Sequence, residues 1–330
     1  MGKTAIEWAD LTWNVVTGCR KISPGCKHCY AERLFPRVYP GRDFTDVQCH
    51  PARLEQPLRW RKPRKVFVNS MSDLFHEAVA DAFLDRVFAV MALCPQHTFQ
   101  VLTKRPARMR EYVEGAEDRI RSEIFDDIPP YDAAPKWWER TAKNEYRLRL
   151  NWPLPNVWLG VSVEDQGAAN ERIPPLLESP ALVRFVSAEP LLGPIDLTKL
   201  TKLGMQRDAG NATTFNALHA PLRPGSPGHP GGLLYQEIDW VIVGGESGPR
   251  ARPMHPAWAR ALRDQCQTAG TPFFFKQWGQ WVREDQLPGE EGGDAGDDGM
   301  APYWSVGKKQ AGHLLDGVVY QEFPRRHEVL

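Results

Sequence analysis

Apolar positions along the chain gather into short, nearly continuous runs that end in polar or glycine residues, and between these runs the spacing changes to a helical period. Residues 65–70, KVFVNS, are β-branched and aromatic and give way to Asn69-Ser70-Met71-Ser72-Asp73, the pattern of a buried strand that delivers a polar loop. Residues 81–93 place apolar side chains at 83, 84, 87, 88 and 91 and predict a helix. The next strand is expected over 98–102, ending in Thr103-Lys104-Arg105-Pro106, and another over 157–163, ending near Glu164 with helical sequence through 177. Residues 182–186 run into Ser187-Ala188-Glu189-Pro190, and 240–243 into Gly244-Gly245-Glu246-Ser247. A helix over 258–269 leads to a last strand at 272–275, closed by Lys276-Gln277-Trp278. Upstream, residues 4–18 read as a lead-in followed by a short strand ending at Thr17-Gly18, and a helix is expected from Tyr30 to about residue 38, before a loop with Cys49 and His50.

Short apolar strands alternating with helices imply a parallel sheet whose outer face is covered. About seven strands with polar ends predict an α/β fold built as a partial or complete (β/α) barrel, in which loops at the carboxyl ends of the strands make the active site. The barrel is expected over 1–283. Three segments break the rhythm: 107–155, charged and tryptophan-bearing, reads as a mainly helical insertion, and 203–235, rich in glycine and proline, as a flexible one. Beyond the barrel, 284–330 reads as an acidic, glycine-rich loop and a C-terminal extension.

Composition narrows the class. Hydrophobic residues at 42% and charged residues at 25% are ordinary for a globular protein, so disorder is not the default. Lysine plus arginine and aspartate plus glutamate both total 41, so no global positive field advertises a nucleic-acid partner, although a local basic patch is compatible with that balance. The N-terminal MGKTAIEWAD has no apolar signal core, and no run approaches 18 consecutive apolar residues; the expectation is a cytoplasmic protein with no membrane contact.

In a reducing cytosol, clustered cysteines favour metal or redox chemistry over disulfides. The stretch WNVVTGCRKISPGCKHCYAE carries Cys19, Cys26 and Cys29, six and then two residues apart, and Gly18, Pro24 and Gly25 let its backbone curl around one centre. Three thiolates are one short of a closed zinc site and suit a four-iron, four-sulfur cluster with one iron open. The alternative is a zinc site of Cys26, Cys29, Cys49 and His50, with Cys19 incidental, in a noncatalytic nucleic-acid or protein-binding module. Cys94 and Cys266 sit in apolar helical patterns and read as buried small hydrophobes.

Lys104 follows an apolar strand and must reach solvent or meet an anion. Glu164, Glu189 and Glu246 each follow a strand and either share one pocket, for substrate binding or proton transfer, or cap the helices that follow. Gly244 and Gly245 mark a close backbone approach or a tight turn. Trp137, Trp138, Trp278 and Trp281 are core residues or base-stacking platforms.

The segments IEWADLTWNVVTGCRKISPGCKHCYAERL, VFVNSMSDLFH, FQVLTKRP, VWLGVSVED, RFVSAEPLLGPI, DWVIVGGESG and FFFKQWG closely resemble the phage Gp37/Gp68 family (DUF5131) over most of the chain outside the insertions. That family in turn looks like a branch of the radical S-adenosylmethionine (SAM) superfamily, most similar to the spore photoproduct lyase group. The resemblance implies that Cys19, Cys26 and Cys29 ligate three irons of a 4Fe-4S cluster while SAM chelates the fourth. It implies that Lys104 pairs with the SAM carboxylate, that Ser162 contacts the ribose, and that Ser70, Ser72 and Asp73 receive the methionine end. Gly244-Gly245-Glu246 resembles the GGE signature that binds the SAM amino group elsewhere in the superfamily. With Glu164 and Glu189 these residues make up the expected cofactor site. The superfamily usually spaces its cysteines by three and two residues, and usually has an aromatic residue where His28 stands. The implied activity is formation of a 5′-deoxyadenosyl radical that takes hydrogen from an unreactive carbon, of a nucleobase, nucleotide or DNA in a phage context. A one-electron reductant such as flavodoxin or ferredoxin is the implied partner.

Overall fold

The computed structural model describes residue 4 and residues 6–126, 138–140, 146–148, 150–201, 214–219, 237–287 and 302–324. Seven strands form its central sheet: β1 (Leu11–Trp13), β2 (Lys65–Val68), β3 (Thr98–Thr103), β4 (Val157–Ser162), β5 (Val183–Ala188), β6 (Trp240–Gly244) and β7 (Phe273–Gln277). They lie side by side in chain order and every neighbouring pair is parallel. Each crossover therefore advances one place in the same direction, and the sheet curls into a half-barrel. The barrel expected from the apolar runs is thus a partial one, with the limits of β2–β7 within two residues of those runs; the first strand, expected to end at Thr17-Gly18, leaves the sheet at Trp13, and Val16–Thr17 pairs instead with Gln48–Cys49.

Side-chain alternation gives the sheet two different faces. Outward-pointing Val66, Val68, Phe99, Val101, Val157, Leu159, Val161, Val241 and Val243 join the main core. That core is covered by α2 (Asp81–Ala92), α3 (Pro106–Glu114), α4 (Ala116–Asp126), α5 (Gln166–Glu178) and α6 (Pro256–Ala269). The concave face carries a second cluster of Trp8, Phe67, Trp158, Val183, Phe185, Trp240, Ile242 and Phe274. Continuing up the same face by twos, the residues turn polar: Asn69 above Phe67, Ser187 and Glu189 above Phe185, Lys276 above Phe274. The half-barrel is thus plugged by aromatic rings at one end and open and polar at the carboxyl ends of its strands.

Gly160 lets the plug close. It faces Phe185 across the β4–β5 ladder, and a Cβ there would lie 2.5 Å from the ring. The chain termini complete the plug. Trp8 packs edge-on to Phe67, with ring centroids 4.6 Å apart, and Phe323 packs on Trp240 and Phe274. Backbone bonds from Phe275 N to Tyr320 O and from Glu322 N to Phe273 O satisfy the free edge of β7. Just before that edge, Leu314–Leu315 pairs with Val318–Val319 through Asp316 and Gly317, both at positive φ, the Asp-Gly hairpin chemistry. Asp316 also accepts from Arg260, Arg263 and Gln286, which ties the hairpin to α6.

The segment 107–155 contains most of α3, all of α4 and an antiparallel pair, Trp138–Arg140 with Tyr146–Leu148. Trp137, most of 203–235 and residues 288–300 lie outside the described residues. No helix among the described residues is long and apolar enough to cross a membrane.

Gly160→Ala should destabilise the chain by about 1–3 kcal/mol, because the Phe185 ring has no free space to retreat into; urea unfolding followed by tryptophan fluorescence measures it. Burial works to raise the Asp316 carboxyl, but its bonds to Arg260 and Arg263 outweigh this and hold it below its ordinary value. The stabilisation it gives is present above that ordinary value and is lost as pH falls through the lower folded one. The urea midpoint gap between wild type and Asp316→Asn should therefore be full near neutrality and shrink in acid.

Candidate functional site

The cysteine loop follows a short antiparallel ladder of Val16–Thr17 with Gln48–Cys49, beyond the end of β1. Gly18, at φ +90°, has the carbonyl oxygen of Asp46 2.4 Å from where a Cβ would stand, so only glycine fits there. Its N–H donates to Met71 O, and Cys19 N donates to Phe44 O. The loop then tightens into a 3-10 turn over Pro24–Cys26 and ends at Cys29, which precedes α1 (Tyr30–Val38). Ala31 and Phe35 of α1 pack on Phe44 and Met71, with Cys19 and Cys29 against the same cluster.

Three strand ends reach up to pin this loop from below. After β3, Arg105 donates to Arg20 O at 3.3 Å and to Cys19 Sγ at 3.8 Å, while also binding Asp73 and Glu77. After β4, Glu164 accepts from Gly25 N at 3.3 Å and is held by Arg172 of α5 at 2.8 Å. This carboxylate and guanidinium are only 1% and 3% exposed. After β6, Arg252 donates to Pro24 O at 3.0 Å while binding Glu246 with its backbone N–H, Nε and an Nη.

Between loop and strand ends lies a cavity of about 650 Å³. Cys19, Cys26 and Cys29 line it, together with Ser70, Ser72, Asp73, Lys104, Ser162, Glu189, Gly245 and Glu246. Of the expected site residues, Glu164 and Gly244 stand behind the wall. Gly244 lies against the Glu189 carboxylate, and a Cβ on Gly245 would stand 1.8 Å from Trp278 O, so the glycine pair serves a close backbone approach. Cys49 and His50 do not line the cavity. Cys49 pairs with Val16 in a short antiparallel ladder, and His50 bonds Thr17 Oγ1 at 2.7 Å. Trp278 is buried and donates its indole N–H to Leu314 O, and the Trp281 indole donates to Ala251 O, so both are spent on structure.

Several lining groups are already engaged. Asp73 accepts from Phe75 N, Thr103 Oγ1, Lys104 N and Arg105, which makes it the brace that shapes the end of β3. Ser72 donates to Val16 O and Ser70 to Asn14 Oδ1. Glu189 is held by Lys276 at 2.7 and 2.9 Å and by Gln277. Lys104 Nζ donates to Ser162 Oγ, which in turn donates to Glu189 O. Among the described residues the lysine's hydrogen-bond acceptor is a neutral oxygen, and its charge also acts on Glu164.

Burial dominates the thiols. It raises Cys19 to about 11, helped by Asp73 and opposed by Arg105, and it raises Cys29 with a contribution from Cys26. Cys26 goes the other way: burial works to raise it, but the Lys104 charge and hydrogen bonds from Ile22 and Ser23 bring it below the ordinary thiol value. Cys94 and Cys266 are fully buried and are pushed up to about 12, Cys94 by burial alone and Cys266 by burial with a contribution from Glu322. Burial would likewise raise Glu164, but Ser23, Lys104 and Arg172 together keep it low and ionised. Among the described residues no three His, Cys, Asp or Glu side chains are gathered to hold a single metal ion.

The sequence reading assigned no role to Arg105, Arg172, Arg252, Lys276 or Tyr30. Arg105 and Lys276 stand in polar strand ends and were legible as such; Arg172 and Arg252 gave no local sign, because each is defined by a carboxylate six or eight residues earlier that only folding turns towards it.

A half-barrel whose mouth is roofed by a cysteine loop defines the class of protein. The family model described as a protein of unknown function (DUF5131) matches residues 3–324, and the chain belongs to that family. Comparisons with curated proteins and with solved structures found no match.

Glu164→Gln should cost about 3–5 kcal/mol, since it leaves the Arg172 charge buried without its counter-ion. It should also loosen the loop above it. Thiol labelling under native conditions is expected to accelerate at Cys26 while Cys94 and Cys266 stay protected.

Proposed function

We propose that the chain is an iron–sulfur enzyme of the radical SAM type, working in the cavity beneath the cysteine loop. The observation that carries this reading is that Cys19, Cys26 and Cys29 open onto one cavity with Lys104 and Ser162. The donor set fits the group: thiolates are the usual ligands of iron–sulfur clusters, and three of them leave one iron for another ligand. When bound, such a cluster with SAM supplies one electron for carbon–sulfur cleavage and so a 5′-deoxyadenosyl radical.

The chain's own residues do the rest. Cys19, Cys26 and Cys29 hold three irons, and the Lys104 charge eases deprotonation of Cys26. The same ammonium, fixed on Ser162, offers a partner for a cofactor carboxylate. Ser162, Glu189 and Gly245 line the cavity wall towards β6 and β7, where ribose and amino-group recognition belongs in this reading. Asp73 and Glu246, on the cavity surface, and Glu164, behind it, act by positioning Lys104, Arg252 and the loop. Apolar Ile22, Leu34, Phe67 and Leu102 on the cavity surface limit water around a reactive species. The likeness to the phage Gp37/Gp68 family and to spore photoproduct lyase supports a nucleobase, nucleotide or DNA substrate. A reducing, cytoplasmic setting suits the free thiols, with a flavodoxin or ferredoxin as electron source.

Anaerobic reconstitution with iron and sulfide tests this. Wild type should gain a broad absorption near roughly 400 nm, typical of thiolate-ligated clusters, and a reduced-state paramagnetic signal that SAM alters. Cys26→Ala should lose both, and Lys104→Ala should keep the absorption but lose most of the SAM effect. Stoichiometric zinc and no cluster would overturn the reading.

A further inference from the structure

The end of β2 carries a polar side chain with half of its hydrogen-bonding capacity unused. Asn69 follows β2 directly, is 2% exposed and sits at φ +63°, in the left-handed region that residues with a side chain rarely adopt. Two bonds hold it there: its backbone N–H donates to Trp13 O, and its Oδ1 accepts from Val16 N at 3.1 Å. A backbone N–H can only donate, so the amide has one orientation and its oxygen is spent on the chain. Asn69 lines the cavity, yet its Nδ2 group has no acceptor among the described residues.

Trp8 repeats the pattern. It lines the same cavity, is also 2% exposed, and its indole Nε1 has no acceptor among the described residues. Phe67 links the two, since it lies two residues before Asn69 on the same strand face and packs edge-on to Trp8. Among the described residues, Trp8 and Asn69 are the two cavity-lining side chains with a buried, unmatched polar atom, and in both that atom is an N–H donor. Buried donors are ordinarily matched, because leaving them unmade forfeits their hydration. The carboxylates and hydroxyls nearer the cysteine loop differ: Asp73, Glu189, Ser70 and Ser72 are all engaged by the chain itself.

We propose that Asn69 and Trp8 are specificity-determining residues that read the carbonyl edge of a flat heterocyclic ring, as in uracil or hypoxanthine, in preference to the amino edge of cytosine or adenine. The proposal rests on the nucleobase reading of this cavity and narrows it. Both donors are neutral and stand beside aromatic surface, which suits an uncharged carbonyl oxygen; an anion has Lys104 as its better partner. An exocyclic amino group would meet these N–H groups donor to donor and leave them unmatched, which is the kind of difference a binding site discriminates strongly. Phe67 and Trp8 supply apolar surface against which the ring lies.

The test titrates the full chain, reconstituted with iron and sulfide and saturated with S-adenosylhomocysteine, with uridine, cytidine, inosine and adenosine in a calorimeter. Wild type should bind uridine at least about tenfold more tightly than cytidine, and inosine than adenosine by a similar factor. Asn69→Asp keeps the acceptor for Val16 N and a side chain that tolerates positive φ, but sets an oxygen in place of the amino group; it should abolish or invert both preferences. Trp8→Phe keeps a ring beside Phe67 without the N–H, and it should weaken uridine and inosine while cytidine and adenosine bind as before. Thermal unfolding checks that the variants are folded. Asn69→Gly, which also accepts positive φ, replaces Asn69→Asp if that carboxyl unfolds the chain, and should level each pair. A reconstituted wild type whose cluster signal responds to SAM but which binds the amino members as tightly, or binds none of the four, overturns this proposal alone. So do variants that keep the wild-type preferences. A wild-type chain that takes up no iron and sulfide fails the functional reading, and this proposal with it.

Discussion

Glu164 is a carboxylate with almost no access to water, and the site hangs on how its charge is answered. A buried charge of this kind is tolerable only when it is paired and fully hydrogen-bonded. Arg172 answers from the outer helix layer at 2.8 Å and Gly25 from the cysteine loop at 3.3 Å. One side chain therefore couples the barrel wall, the helix behind it and the loop above it. Gly25 has no side chain to keep the loop away: a Cβ there would lie 3.1 Å from the carboxylate carbon. Arg105 and Arg252 repeat the device at two other strand ends, so the loop is held at Arg20, Pro24 and Gly25 by groups from three different crossovers.

The barrel beneath follows a simple rule. Each strand alternates between a helix-covered face and the concave one, and on the concave face the aromatic residues carried by five of the seven strands give way to polar ones towards the carboxyl end. The aromatic end is closed by Trp8 and Phe323 from the two ends of the chain and by the room that Gly160 leaves for Phe185. Because one end is filled, polar groups at the other can be brought together without opening a water-filled pore. The cavity is consequently bounded by a rigid floor and a tethered roof, the preorganised surroundings that reactive chemistry needs.

Each carboxylate that lines that cavity is matched by a cation. Glu189 has Lys276, Glu246 has Arg252, and Asp73 has Arg105. Lys104 donates to the hydroxyl of Ser162, and its field reaches Glu164 and Cys26, the one thiol of the loop held below its ordinary value. The outer rim repeats the sign, since Arg33 and Arg37 of α1 are exposed. Cation inside and cations outside bracket the cysteines, which gives the loop two electrostatic neighbourhoods within a chain of zero net charge.

The sequence by itself determined the architecture and the outline of the site. Strand and helix periods are local properties, so the seven apolar runs and the helices between them were legible from neighbours a few residues apart. The polar strand ends named Lys104, Glu164 and Glu189 in the same way, and the cysteine spacing marked the loop. Only the tertiary structure decided what each polar residue faces. Gly25 and Glu164 are 139 residues apart and Pro24 and Arg252 are 228 apart, distances over which no periodicity carries information. Hence Asp73, Glu164 and Glu246, which look alike in sequence to ligand-binding carboxylates, emerge as braces whose oxygens are engaged by the chain itself. The closing of the barrel by its own termini was hidden for the same reason: a lone Trp8 or Phe323 acquires its meaning from the rings that the fold sets around it.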